Sequence, residues 1–129
     1  MNNLKTIIAG SRSATKKDVF DAIGQTSWAC QIDTVISGTA KGADKFGEAW
    51  AKDHNRSITY FPANWNVYGR AAVPIRNKAM AEYAHALIAV LDGKSKGTKN
   101  MIELAKKQGL LVEVFYISKM NVSSVIDNE

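Results

Sequence analysis

Apolar residues recur along this chain in two alternating rhythms. Short β-like runs occupy residues 4–9, about 33–37, 57–61, 86–91 and 110–115, and Gly10, Pro62, Asp92 and Gly109 mark several of their ends. Such runs read as strands. Between them the apolar positions return every three or four residues, which is the helical period. Val19, Phe20 and Ile23 form one stripe that runs toward Trp28, and Ala43, Phe46 and Trp50 form a second that ends near residue 54. Ile75, Ala79 and Tyr83 form a third, and Met101, Ile102 and Ala105 a fourth.

Punctuation supports these elements. Thr15 followed by Asp18 has the form of a capping box, and Pro74 suits the first turn of the third long helix. Pro62 stops the third strand, and Gly109 ends the last helix. Residues 63–73, with Trp65, Tyr68, Gly69 and Arg70, are expected to be irregular. The run 86–91 is apolar throughout, as expected of a strand covered on both faces.

Five strands alternating with four helices predict an α/β fold: a parallel sheet flanked by helices, in a single domain over residues 1–116. Residues 117–129 turn polar and are expected to form a flexible tail. Right-handed crossovers place every strand-to-helix loop at one sheet edge, where ligands of such sheets sit. Three loops converge there: the one at Gly10, the one over 37–44 and the one over 92–98.

The middle loop, Ser37-Gly38-Thr39-Ala40-Lys41-Gly42-Ala43-Asp44, is the informative one. A strand, a glycine-containing loop and a helix start together suit an anion, because the first amides of a helix lack internal partners. Two better-known phosphate motifs are absent. A Walker A loop ending in Gly93-Lys94-Ser95 needs glycine where Ile88 stands, and Gly10-Ser11-Arg12-Ser13 lacks the later glycines of the dinucleotide fingerprint.

Composition narrows the partners. Seventeen basic against twelve acidic residues give a net charge of +5, which favours an anionic partner. The lysines are scattered, apart from the pairs Lys16-Lys17 and Lys106-Lys107, so charge alone does not indicate a nucleic-acid groove. The single cysteine, Cys30, excludes an internal disulfide, suits a cytoplasmic setting and is expected to be a partly buried apolar filler. His54 and His85 are far apart, and no Cys/His cluster predicts a metal site, so neither metal nor cofactor is expected. No run is long enough for a membrane span, and the opening residues lack the apolar core of a secretory leader.

Four segments together resemble the YspA-like branch of the SLOG superfamily. They are Gly10-Ser11-Arg12; the loop from Ser37 to Asp44; Pro74-Ile75-Arg76-Asn77 with Met80; and Asp92-Gly93-Lys94-Ser95-Lys96-Gly97-Thr98. The resemblance spans about residues 4–115 and implies a Rossmann-like, three-layer domain that binds nucleotides or nucleotide-derived molecules. Relatives there include LOG-type phosphoribohydrolases, DprA and sensors of ADP-ribose-derived signals. The chain departs from the pattern at Val73, where glycine is usual, at His85, where an acid is usual, and at Leu91, where tryptophan is usual.

The implied ligand site comprises Gly10, Ser11, Arg12, Ser37, Gly38, Gly42, Ala43, Asp44, Arg76, Asn77, Asp92, Gly93, Lys94, Ser95, Gly97 and Thr98. Gly42 and Gly97 would bring backbone amides to phosphate, and Thr98 would add a hydroxyl. Arg76 or Arg12 can grip phosphate with a planar fork, or be a surface cation. Asp44 can accept from a ribose diol, or simply favour the helix dipole. Asp92 allows the same two readings. Trp65 or Tyr68 can stack on a base or plug a loop.

The leading function is capture of a nucleotide or ADP-ribose-like ligand, for sensing or sequestration. Hydrolysis of an N-glycosidic or phosphoribosyl bond in the same pocket is the alternative, with Asp44 and Asp92 as catalytic candidates. Glu103 falls five positions after Thr98, about 200° around the helix from where LOG-type enzymes carry their glutamate. DprA-like binding of single-stranded nucleic acid is a further alternative, and homo-oligomerisation is implied by the resemblance alone.

Overall fold

The computed structural model describes residues 3–117. Strands β1 (Leu4–Gly10), β2 (Ile32–Ser37), β3 (Ser57–Tyr60), β4 (Ala86–Leu91) and β5 (Leu111–Tyr116) form one sheet in the order β3-β2-β1-β4-β5. Every pairing is parallel. Each strand lies within a residue of the run expected for it. Chain direction across the sheet reverses between β1 and β4, which opens a crevice beyond their carboxyl ends.

The helices are α1 (Lys16–Gly24), α2 (Ala43–Asp53), α3 (Trp65–Tyr68), α4 (Ala72–Tyr83) and α5 (Lys96–Lys107). Side chains alternate across a strand, so β1 serves two cores. Ile8 joins Val35 and Ile88 of the sheet with Val19, Ile23, Ala43 and Trp50 of α1 and α2. Ile7 joins Ile36 and Leu87 with Met80, Ala81, Met101 and Ala105 of α4 and α5. All six residues of β4 are buried, which accounts for its unbroken apolar run. Burying each Ile or Leu there contributes about 1.5–3 kcal/mol.

Thr15 closes the expected capping box, accepting from the Asp18 amide while Asp18 accepts from the Thr15 amide. Several expectations are corrected. The first helix stops at Gly24, and a 3-10 turn at Ala29–Gln31 precedes β2. Residues 63–73 are not irregular: Asn64 caps α3 by accepting from Val67, a 3-10 turn covers Gly69–Ala71, and α4 starts before Pro74. The stripe on α4 is also different. Ile75 and Tyr83 are exposed, whereas Ala72, Asn77, Met80 and Ala81 are buried. Cys30 is exposed rather than partly buried. The tail expected from residue 117 lies, after Ile117, outside the described residues; Ile117 itself donates to the Leu91 carbonyl at 2.9 Å.

Candidate functional site

The β1–α1 loop is stitched to its neighbours through Ser11. Its amide donates to Val90 O, its hydroxyl accepts from the Asp92 amide, and its carbonyl accepts from the Ala43 amide. Gly10 makes this closeness possible, because a Cβ there would run into the Val90 carbonyl. Gly42, at φ +79°, packs against Ser11 and Arg12 and lets the chain enter α2. The first amide of α2 is therefore occupied by protein. Gly42 and Ala43 shape the loop rather than offering that amide to a ligand.

Ser37 is fully buried. Its hydroxyl donates to Glu48 Oε2 at 2.6 Å and accepts from the Thr39 amide. Thr39 holds φ +68°, an uncommon conformation for a β-branched residue. The preceding Gly38 leaves room for Arg76, whose Nη1 donates to Gly38 O at 2.6 Å and to Phe61 O at 3.3 Å. Arg76 Nε donates to Asn77 Oδ1. Only Nη2 has no hydrogen bond among the described residues, so Arg76 is chiefly a clip across the ends of β2 and β3.

A cavity of about 450 Å³ opens beside this clip, between the end of β1 and the first turns of α2, α4 and α5. That size falls within the range of small-molecule pockets. Gly10, Arg12, Asp44, Arg76 and Asn77 line it, as do Ser95, Gly97 and Thr98. Ser11, Ser37, Gly38, Gly42 and Ala43 stand behind these as scaffold. Asp92, Gly93 and Lys94 also lie off the wall: Asp92 accepts from the Lys94 amide and from Ser13 Oγ. The Lys94 bond is the main reason its carboxyl sits below the usual carboxylate range.

Asp44 is only 6% exposed, and its Oδ2 accepts from the Ala40 amide. Burial pushes its carboxyl up to about 6, against the pull of the Ala40 amide and Arg76. Arg76 is itself held below its ordinary value, mainly by burial. Asp44 Oδ1 carries no hydrogen bond within the described residues.

Ser95 caps α5 by accepting from the Thr98 amide, and its hydroxyl shares a 2.8 Å hydrogen bond with Thr98 Oγ1. The amides of Lys96 and Gly97 have no partner among the described residues, and both residues line the cavity. No acid stands in the first turn of α5, so nothing there offsets its positive end. An anion is stabilised at such a terminus.

The remaining wall is apolar and includes Val73, Pro74, Met80 and Met101. Trp65 and Tyr68 are exposed and outside it. Asn100, absent from the residues expected at the site, shares the wall and accepts from Asn77 Nδ2 at 3.0 Å. Its signal was the helical spacing Gly97, Asn100, Met101, which places three residues on one face of α5. His54 contacts Trp50 O and stacks on the Trp50 ring, and His85 Nδ1 accepts from the Lys5 amide. No group of three His, Cys, Asp or Glu residues able to hold a metal occurs among the described residues, nor does a helix long and apolar enough to cross a membrane.

The backbone superposes on the crystal structure of DNA processing protein A (DprA) from Streptococcus pneumoniae with a TM-score of 0.67 over 94% of this chain. The two share a fold. Sequence identity is 18%, and the match covers 53% of the DprA chain, so this chain spans about half of that protein. No protein-family model and no curated protein matches the sequence. The DprA fold and the reversal between β1 and β4 put the cavity where Rossmann-like sheets open to ligands.

Proposed function

We propose that this chain captures a nucleotide or a nucleotide-derived molecule of the ADP-ribose kind, for sensing or sequestration. The observation that carries the reading is the pairing, in one cavity, of two unpartnered α5 amides with the buried Asp44 carboxyl. Phosphate sits on the amides of Lys96 and Gly97, with Lys96 and Arg12 near the same cavity. Ribose hydroxyls donate to Asp44 Oδ1, which works best as the carboxylate. The base lies against Val73, Pro74, Met80 and Met101, where sulfur–aromatic contact adds to apolar burial. The SLOG-like motifs and the DprA fold support the same assignment.

The test is one incubation series with AMP, NAD, ADP-ribose and cyclic ADP-ribose isomers, read by thermal shift and by mass spectrometry. A rise in Tm with intact ligand is the expected result; no shift across the series would overturn it. Released base or ribose phosphate would favour the hydrolase reading instead. For that reaction Asp44, titrating near 6, has a value suited to proton transfer. Asp44→Asn would then lose turnover and keep some binding.

Single-stranded nucleic acid is the second reading, favoured by the fold shared with a DNA processing protein and by the net charge of +5. It requires affinity for an oligonucleotide that falls steeply with salt, because bound phosphates release counterions. Binding that is absent, or insensitive to salt, would dispose of it.

A further inference from the structure

The cavity contains one amide whose orientation the protein dictates completely. Arg76 Nε is only a donor, so the atom of Asn77 that faces it at 3.0 Å is Oδ1. Asn77 therefore turns Nδ2 the other way, where it donates to Gly97 O at 3.1 Å and to Asn100 at 3.0 Å. Gly97 O can only accept, which confirms that orientation independently. Asn100 must in turn present Oδ1 to Asn77. Its Nδ2 is left with no hydrogen bond among the described residues, on a side chain that lines the cavity.

Asn100 thus holds its Oδ1 on Asn77 and has its Nδ2 donor free for a ligand. Asn77 is 3% exposed, its Oδ1 is held by Arg76 and both Nδ2 hydrogens are used, so it is the positioning residue that prevents Asn100 from flipping. Met80, three residues after Asn77, and Met101, next to Asn100, belong to the apolar part of the wall. The aromatic base is the apolar part of a nucleotide and belongs on that wall, within reach of Asn100.

We propose that Asn100 is a specificity-determining residue of the nucleotide site: its Nδ2 donates to an acceptor atom, a ring nitrogen or a carbonyl oxygen, on the ligand's base. The proposal rests on the nucleotide reading above.

The test uses AMP, whose adenylate is common to NAD and ADP-ribose. Three variants are compared with the wild type by calorimetric titration at pH 8. Asn100→Asp keeps the oxygen that Asn77 needs and replaces only the donor; Asn100→Leu removes the donor without adding charge. Lys99→Gln, at an exposed neighbour outside the cavity wall, lowers net charge as Asn100→Asp does. Both Asn100 variants are expected to weaken AMP about tenfold, the value of one hydrogen bond, and Lys99→Gln about twofold or less. One of 1-, 3- or 7-deaza-AMP, each lacking one ring acceptor, should lose about tenfold against wild type and nothing further against Asn100→Leu. Wild-type affinity in either Asn100 variant, losses matched by Lys99→Gln, or no coupled deaza analogue would overturn the proposal while leaving the nucleotide reading in place. Failure of the wild type to bind AMP would overturn the proposal, and the nucleotide reading falls with it only if NAD, ADP-ribose and the cyclic ADP-ribose isomers give no thermal shift either.

Discussion

Arg76 Nη1 donates to the carbonyl oxygen of Gly38, 2.6 Å away and thirty-eight positions earlier in the chain. With a second bond to Phe61 O, this contact fastens α4 to the ends of β2 and β3. Replacing Arg76 by Met strands both carbonyls and the Asn77 oxygen. Stability should fall by about 1.5–3 kcal/mol, since hydrogen bonds from a charged donor are at stake. Urea denaturation of Arg76→Met measures it; an unchanged midpoint would contradict the clip.

Asp44 makes stability depend on pH in a defined direction. Its folded value of about 6 lies above the ordinary 3.8, so between those values the folded state holds the proton more tightly. Stability then falls as pH rises from about 4 to above 6, by on the order of 2–3 kcal/mol from this group. Asp44→Asn should match the wild type near pH 4 and exceed it at pH 7. A stability difference that stays constant over that range would show that Asp44 titrates normally.

The buried hydrogen bond from Ser37 to Glu48 also supports the central loop, because the Thr39 amide uses the same hydroxyl. Ser37→Ala removes both bonds and leaves Glu48 Oε2 unpaired. The expected loss is about 2–3 kcal/mol, read from the thermal midpoint and calorimetric enthalpy.

Thr39 carries backbone strain at the edge of the site, with φ +68°. Glycine has no Cβ penalty there, so Thr39→Gly should gain about 1 kcal/mol despite its freer unfolded chain. Destabilisation on chemical denaturation would mean that contacts of the threonine side chain outweigh the strain.

Two glycines of the site should answer alanine in opposite ways. Gly10→Ala places a methyl in the Val90 carbonyl and should prevent stable folding. Gly97→Ala meets only Val73 Cγ1, at an ordinary 3.5 Å, and should stabilise α5 by about 0.5–1 kcal/mol while weakening nucleotide binding. Circular-dichroism melts and AMP titration separate the two effects.

Much of the fold was written in local patterning. The strands fell within a residue of their apolar runs, because period-2 and continuous apolar segments have few other stable uses. Local capping at Thr15 and the breaks at Pro62 and Gly109 were legible for the same reason. The stretch around Trp65 was not: one short turn of helix and a 3-10 turn carry too few residues for a period to show. The buried face of α4 was misread as well. Its small residues, Ala72 and Ala81, pack closely, while the larger Ile75 and Tyr83 remain outside.

The sequence by itself determined that three loops would meet at one edge of a parallel sheet, since right-handed crossovers allow little else. Only tertiary structure decided which side chains there are free. Ser11 occupies the first amide of α2, Arg76 spends Nη1 and Nε on the protein, and Asp92 turns to Ser13 and Lys94. Asp44 and the α5 amides stay available in the cavity, and Asn100 joins them because Asn77, twenty-three positions away, fixes its amide. Hydrogen-bond capacity is exhausted by partners distant in sequence, so what remains for a ligand is known only once the chain has folded.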